Sequence, residues 1–190
     1  MKLVRNSFIA LALVLTAISY ASADDYVIDT HGGHASINAK YKHIGISWLV
    51  GRFETFSGTF SYDPDNLAAS SVNVEIDVTS LNSNHAERDV HLTGGRYLDA
   101  SNHPQSTFNS TRAVDTGNGN LTVYGDLSLH GVTKEVAIEA SAVGSGDDPW
   151  GGYRVGLEGT TTLDLRDFGY ESFGPTHMVE LSLYLEGVKQ

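Results

Sequence analysis

The sequence predicts an all-β fold: an antiparallel barrel of about eight strands with one short helix near residues 84–94. Apolar and polar residues alternate along most of the chain after Asp24, the period of two that indicates strands with one buried face. Segments rich in glycine, proline, asparagine and aspartate interrupt this alternation and supply turns, among them DPDN, TGNGN and GSGDDPWGG. Because no helical segments come between the strands, as a parallel sheet requires, the strands are expected to be antiparallel.

The N-terminal segment, residues 1–23, predicts export. It begins with two basic residues, continues with an apolar run at 8–18 and ends in small residues, the pattern of a secretory signal peptide. We expect cleavage after Ala23, which leaves residues 24–190 as one domain without repeats or linkers. No later stretch approaches the ~18 apolar residues of a membrane span, so a soluble mature chain without stable membrane insertion is expected.

Composition excludes several classes of function. The chain contains no cysteine, which excludes disulfides, thiolate metal sites, cysteine nucleophiles and a lipid anchor at the cleavage site. Without the signal segment, ten basic residues stand against 23 acidic ones, a formal charge of −13. Such a surface repels nucleic acid and anionic lipid headgroups, so no nucleic-acid partner is expected.

The interior of the barrel could be hollow or filled. The strand segments 34–50, 50–62 and 153–166 carry glycines where a sheet must bend to close. Small residues at expected inward positions would leave volume for an apolar ligand: Ala35, Ala39, Gly125, Ala140 and Ala142. Aromatic neighbours would instead fill that volume: Tyr41, Phe53, Phe60 and Phe108. Alternation alone leaves both arrangements open, since eight-stranded barrels show both.

The stretch HAERDVHL at residues 85–92 concentrates titratable groups and predicts the helix. Asn84 or Ser83 is expected to cap its N-terminus, and Gly94 with Gly95 to end it. Four of its residues share one helical face and are expected to act as a structural clamp on neighbouring strands and loops: His85, Arg88, Asp89 and Leu92.

No pattern predicts a metal site or catalysis. Residues 85 and 91, both histidine, lie six positions apart, roughly 240° around the helix axis, and cannot share one ion. His103, His130 and His177 fall in three separate segments and are individually uninformative. The sequence also lacks the G-x-S-x-G, Walker-type and G-x-G-x-x-G motifs. An enzymatic activity is therefore unsupported, and no cofactor is expected.

Several stretches taken together resemble the YceI family of exported bacterial proteins, particularly its periplasmic type. The most specific are RDVHL at 88–92, HPQSTF at 103–108 and the hairpin GDLSLHGVTK at 125–134. The resemblance extends over essentially the whole mature chain. It implies an eight-stranded, lipocalin-like β-barrel in the periplasm whose apolar interior binds a long-chain lipid, typically a polyisoprenoid such as a quinone tail or prenyl chain.

This resemblance favours the hollow interior and a carrier protein that buries its ligand without covalent chemistry. The expected ligand contacts are inward aromatic and aliphatic side chains: Ile37, Tyr41, Phe53, Phe60, Val74, Ile76, Phe108, Leu127, Leu129, Leu163, Phe168, Leu181 and Leu183. No protein partner is indicated.

Two alternatives belong to other classes of protein. A hydrolase or other enzyme acting on lipid-like substrates would need a nucleophile and a base in the pocket, and His43 or His91 would be the first base to test. A protein-interaction module would instead have a barrel filled by side chains.

Overall fold

In the computed structural model, which describes residues 23–170 and 177–190, eleven β-strands form one antiparallel sheet that closes on itself. The strands are β1 (Asp24–Ile28), β2 (Ser36–His43), β3 (Ser47–Phe53), β4 (Phe56–Tyr62), β5 (Ser71–Asp77), β6 (Leu81–Asn82), β7 (Gln105–Gly117), β8 (Asn120–Leu129), β9 (Val132–Asp147), β10 (Tyr153–Asp164) and β11 (Met178–Lys189). A short helix of about two turns, α1 (Ala86–Thr93), follows β6. Short 3₁₀ turns cover Leu67–Ala69, Val78–Ser80 and Leu165–Phe168. Apart from Ala23, the predicted signal peptide lies outside the described residues.

The eleven strands occupy eight positions around the barrel. β1 and β2 pair with opposite halves of β11, so together they form one interrupted position. β3 with β4 and β5 with β6 form two more interrupted positions, and β7 to β11 follow as single strands. The pairing of β1 with β11 closes the ring. The predicted eight-stranded antiparallel barrel is therefore confirmed.

The predicted strand 34–50 is wrong, because a tight turn divides it into β2 and β3. Ile44 and Gly45 have positive φ angles of 46° and 80°, and the Ile46 amide donates to the His43 carbonyl at 2.9 Å. The alternation changes phase at the adjacent polar residues Lys42 and His43, and Gly45 follows, so the reversal leaves a local signal in the sequence. The segment 50–62 is similarly divided between β3 and β4.

Two glycines allow aromatic rings to lie directly against the barrel wall. A Cβ on Gly125 would lie 2.5 Å from the Phe108 ring, and a Cβ on Gly187 would overlap the Phe60 ring. Only glycine leaves room for such close approach. The rings of Phe108 and Phe60 can therefore lie flat against the barrel wall.

The core consists of two apolar clusters. In the first, Phe168 follows the end of β10 and is 1% exposed, packed in one cluster with Leu129 and Leu163. In the second, the rings of Tyr26 and Phe60 are stacked with their centroids 5.0 Å apart. Phe168 therefore fills the barrel at the end where β8 and β10 terminate.

Helix α1 is tied to β6 through the buried residue Ser83. The amide of Ser83 donates to Asp89 Oδ1 at 2.8 Å, and its hydroxyl donates to the same oxygen. Arg88 Nε donates to the Ser83 hydroxyl at 2.7 Å, and Arg88 Nη2 donates to the Ser83 carbonyl. Burial raises the pKa of the Asp89 carboxyl, but the bonds from Ser83 and the charge of Arg88 outweigh it, and the pKa is lower than usual.

The predicted N-caps of α1, Asn84 and Ser83, are wrong. The helix begins at Ala86, and His85 is its N-cap, with Nδ1 accepting the Arg88 amide at 3.2 Å. Ser83 cannot cap because its hydroxyl is held by Asp89.

No helix in the described part of the chain is long and apolar enough to cross a membrane.

Removing the Asp89 carboxylate is expected to destabilise the protein, because Ser83 then keeps a buried amide and hydroxyl without their acceptor. Asp89→Ala should lower the free energy of unfolding by about 1–3 kcal/mol, measured by urea denaturation, and Arg88→Ala should act in the same direction. Glu87→Ala, at an exposed position of the same helix, should change it by less than about 0.5 kcal/mol. Equal effects of Asp89→Ala and Glu87→Ala would contradict a clamp.

A second polar network joins three parts of the chain around Arg154 on β10. Its Nη1 lies 2.6 Å from Asp29 Oδ2 and 2.7 Å from Glu186 Oε1, while its Nε lies 2.7 Å from Asp148 Oδ2. Asp29 follows β1, Asp148 lies in the turn after β9, and Glu186 is on β11. The hydrogen bonds from Arg154, His34 and the Gly32 amide hold the pKa of the Asp29 carboxyl well below its usual range.

This network is expected to stabilise the protein except at very acid pH. The pKa of Asp29 is lower in the folded chain than the roughly 3.9 of an unfolded one, so its contribution is present above about pH 4 and is lost as pH falls through the folded pKa. The free energy of unfolding of the wild type should therefore exceed that of Arg154→Gln at neutral pH, and the difference should shrink on acidification.

The matched control is Arg112→Gln, which breaks the exposed Arg112–Glu135 pair of 2.8 Å and should change stability little at any pH. A difference between wild type and Arg154→Gln that grows below pH 4 would contradict this assignment.

Candidate functional site

The barrel contains an apolar cavity of about 120 Å³. Its walls come from inward residues of β4, β5, β7, β8, β9, β10 and β11, with one contribution from β2. Inward side chains of β5 and β11, such as Val74 and Leu183, are only partly buried although they point into the barrel. They remain partly exposed because the cavity lies between them, so this part of the interior is hollow.

Eight of the thirteen predicted ligand contacts line this cavity: Ile37, Phe60, Val74, Ile76, Phe108, Leu127, Leu181 and Leu183. They come from six different strands and converge because each has the inward parity of its strand. Whether they contact a ligand stays a prediction.

The other five lie outside the lining. Leu129, Leu163 and Phe168 are packed together in the filled end of the barrel, and Phe53 packs against the cluster around Phe60. Tyr41 lies near α1, where burial raises the pKa of its hydroxyl against the opposing charge of Arg88. Leu129 and Leu163 do not line the cavity because the turn Leu165–Phe168 inserts the Phe168 ring where the open tunnel was expected to continue.

The small residues considered as sources of volume have different fates. Ala140 lines the cavity, whereas Ala142 is exposed. The space beside Gly125 is taken by the Phe108 ring. Both alternatives left open by the sequence therefore hold in different parts of the molecule: the interior is filled near Phe168 and hollow near Ala140.

Sequence reasoning missed several lining residues. Leu121 and Val123 share the inward parity of the predicted contact Leu127 on β8, and Leu185 shares that of Leu183 on β11. Val136 and Ile138 share the parity of Ala140 on β9, which was expected to be inward, so extending the parity along each strand would have found all five. Leu157 likewise has the parity of the predicted contact Leu163 on β10. The bulge beside it inserts Val143 into β9, since Gly156 pairs with Gly144 and Leu157 with Ala142, so it is the parity of β9 that shifts there.

The polar members of the lining are few: Ser61, Ser70, Ser71, Glu158 and Thr161. The hydroxyl of Ser70 is buried and has no hydrogen-bond partner among the described residues. A buried hydroxyl without a partner is costly, so Ser70 is the polar atom of the cavity most in need of a ligand group. Its position after the 3₁₀ turn Leu67–Ala69, outside any strand, explains why strand periodicity did not reveal it.

The electrostatics of the cavity do not favour proton transfer. Glu158 is exposed, and its carboxylate accepts a hydrogen bond from Ser141 at 3.3 Å. Burial raises the pKa of the Tyr62 hydroxyl, so this phenol stays neutral. The histidines that an enzymatic alternative would use first, His43 and His91, are exposed and do not belong to the lining.

Among the described residues, two groups of histidine and carboxylate side chains lie outside the cavity. One is Asp29 with His34 and Glu186, and the other is Asp99 with His103 and His130. Arg154 already supplies a cation to the first group. The sequence predicted neither group, because their members come from segments distant in the chain.

Comparison with known proteins agrees with this architecture. A family model described as a YceI-like domain matches residues 26–186. A UPF0312 protein of Vibrio parahaemolyticus is 56% identical over 180 residues, which cover 95% of each chain. A UPF0312 protein of Shewanella baltica is 52% identical over 178 residues, 93% of each chain.

Solved structures share the fold at low sequence identity. BcnA of Burkholderia cenocepacia has a TM-score of 0.75 and 21% identity, covering 84% of this chain and 98% of its own. The YceI protein of Campylobacter jejuni has a TM-score of 0.69 and 24% identity, covering 78% and 90%. A polyisoprenoid-binding domain from Saccharophagus degradans has a TM-score of 0.65 and 15% identity, covering 87% and 98%.

The family model spans nearly the whole barrel, from β1 to β11, and the relatives match at more than half of their positions over nearly their full length. The chain therefore belongs to the YceI-like family.

Proposed function

We propose that this protein is a periplasmic carrier that reversibly buries the chain of an isoprenoid-type lipid, such as a quinone tail or a prenyl group, in the barrel. The observation that carries the proposal is the cavity, whose lining is almost entirely aliphatic and aromatic. The polyisoprenoid-binding domain of Saccharophagus degradans has the same fold and supports this ligand class.

Burial of hydrocarbon supplies the binding energy. Each buried CH₂ gains about 0.8 kcal/mol, so a few isoprene units suffice for firm binding without an ionic contact. Apolar cavities of about 150 Å³ stay dry and bind small apolar molecules, and the cavity of this protein, about 120 Å³, is of that order. A longer chain would widen the barrel at side chains that are only partly buried, such as Val72, Leu157 and Leu185.

The unpartnered Ser70 hydroxyl would orient the lipid. It would hydrogen-bond the polar end of the ligand, such as a prenyl hydroxyl or a quinone carbonyl, while the chain lies against Val74, Ile138 and Leu183. The ligand then enters with its polar end towards Ser70, and the protein returns it unchanged because no covalent step is involved.

The pattern of the N-terminal sequence supports the periplasmic part of the proposal. Residues 1–23 have the pattern of a cleaved signal peptide, and a lipid with a long apolar chain needs shielding to cross an aqueous compartment. Localisation of the tagged full-length chain by cell fractionation tests this part independently of ligand binding.

Extraction of the native protein with organic solvent, followed by mass spectrometry, is expected to release about one isoprenoid-type lipid per chain. Ala140→Phe should reduce the bound lipid, and the affinity for added geranylgeraniol, at least tenfold, because the new ring occupies the cavity. Ala137→Phe is the matched control: the same change on the same strand, at an exposed position of the outer face, should leave binding unchanged.

Circular dichroism melting would verify that both variants fold. Native preparations that release no long-chain lipid and do not bind geranylgeraniol would contradict the proposal, as would equal loss of binding in the two variants.

The hydroxyl of Ser70 is expected to contribute selectivity. Ser70→Ala should weaken binding of geranylgeraniol about two- to tenfold, the value of one hydrogen bond between neutral groups, and leave binding of the hydrocarbon of equal length unchanged. Ser61→Ala removes the hydroxyl of another serine of the lining and is the variant for comparison. An equal loss for the alcohol and the hydrocarbon would show that Ser70 only shapes the cavity.

A further inference from the structure

Three side chains capable of binding a metal meet at the filled end of the barrel. Asp99 and His103 lie in the turn that precedes β7, and His130 lies in the turn between β8 and β9. Each offers one potential ligand atom, and these atoms lie within 4.8 Å of one another. All three residues are half-buried, so the group is shielded from bulk water but can still be reached by an ion.

The backbone places Asp99 and His103 side by side. The amides of Asn102 and His103 donate to the Asp99 carbonyl at 3.0 and 2.8 Å, which forms one helical turn. Residues four apart on such a turn project from the same side. The carboxylate of Asp99 is further oriented by Asn102 Nδ2, at 2.9 and 3.1 Å from its two oxygens.

The β8–β9 turn brings His130 to this pair. His130 and Gly131 have φ angles of 53° and 74°, the backbone of a two-residue hairpin turn. A Cβ on Gly131 would lie 2.7 Å from the His103 ring, so glycine is needed both for the turn and for the approach of His103. The rings of His103 and His130 meet edge to face with their centroids 5.2 Å apart.

The tautomer of His130 suits a metal ligand. Its Nδ1 lies 3.1 Å from the carbonyl oxygen of Phe168, and because a carbonyl only accepts, Nδ1 must carry the proton. In the neutral imidazole Nε2 then keeps its lone pair. Histidines that bind metals usually donate their other ring N–H to a carbonyl or carboxylate in this way. The Tyr170 ring stacks on His130 with centroids 4.5 Å apart and holds the imidazole in place.

The other histidine and carboxylate group serves as an internal comparison. Asp29 and Glu186 face Arg154, whose guanidinium lies 2.6 and 2.7 Å from their oxygens. A cation of the protein itself balances these carboxylates, so this group is explained as an ion-pair network. The Asp99 carboxylate, by contrast, accepts hydrogen bonds from the neutral groups of Ser101 and Asn102.

We propose that Asp99, His103 and His130 bind a divalent transition metal ion of the Zn²⁺ type, with water completing the coordination. Two imidazole nitrogens and one carboxylate oxygen are a ligand set that Zn²⁺ accepts, at distances of about 2.0–2.2 Å. Tetrahedral ligands at those distances lie about 3.3–3.6 Å apart, so side-chain movements of about 1 Å suffice.

The metal would act on the barrel rather than on the lipid. It would link the turn before β7 to the β8–β9 turn. Through the hydrogen bond from His130 to the Phe168 carbonyl, it would also hold in place the residue whose side chain fills this end. The site lies outside the cavity, so its test does not depend on the identity of the lipid.

The decisive experiment is isothermal titration calorimetry with ZnCl₂. It uses the untagged mature protein after treatment with a chelator and dialysis. We expect one Zn²⁺ per chain at micromolar or tighter affinity, and a rise of the melting temperature in excess Zn²⁺. His103→Gln, His130→Gln and Asp99→Asn should each weaken binding at least tenfold. His34→Gln, from the Arg154 network, and His43→Gln, at an exposed position, should leave binding unchanged.

The visible spectrum of the Co²⁺-loaded protein gives a second readout, because tetrahedral nitrogen and oxygen ligation has an intense absorption that the His103→Gln variant should lose. If His130→Gln fails to fold, His103→Gln and Asp99→Asn decide the question. Absence of Zn²⁺ binding below millimolar concentration would overturn the proposal, and so would binding that survives in the folded variants or disappears in His34→Gln.

Discussion

Closure of the sheet by the short pairing of β1 with β11 is the constraint on which the rest of the structure depends. This pairing joins three residues of the first strand, Tyr26–Ile28, with three residues of the last, Gly187–Lys189. Because the sheet is closed, the two alternating faces of each strand become the inside and the outside of the barrel. All inward side chains therefore share one interior. The Arg154 network reinforces the same junction, because its partners Asp29 and Glu186 belong to the loop after β1 and to β11.

Within the closed ring, side-chain size decides where the interior is empty. Phe168 fills one end, and the aromatic rings of Phe60 and Phe108 lie against Gly187 on β11 and Gly125 on β8. The space that remains lies between aliphatic side chains of β5, β8, β9 and β11, around Ala140. A cavity formed in this way is apolar on nearly all sides, which explains why lipid burial is the function that its chemistry supports best.

The charged residues of the molecule act chiefly on its architecture. Arg88 and Asp89 bind Ser83 and thereby hold α1 in position. Arg154 forms ion pairs with one carboxylate from the loop after β1, one from the turn after β9 and one from β11. His103 and His130 meet at the filled end, where a bound metal would complete the same kind of cross-link. The ligand cavity and the polar networks are therefore separate parts of the molecule, and changes in one need not alter the other.

Much of this architecture could be predicted from the sequence. Alternation along the strands determined the all-β class and the inward parity of residues such as Ile37, Phe108 and Leu183, since burial of one face acts locally on each strand. Helical spacing determined the shared face of Arg88 and Asp89. Each of these features depends on residues that are close together in the chain.

The tertiary structure decided the features that depend on the meeting of distant segments. The insertion of Phe168 and the approach of His103 to His130 leave no periodic trace in the sequence. Register and turn geometry bring these groups together across tens of residues. A local pattern determines which way a side chain points, but only the closed barrel determines which other side chain it meets there and how much space is left between them.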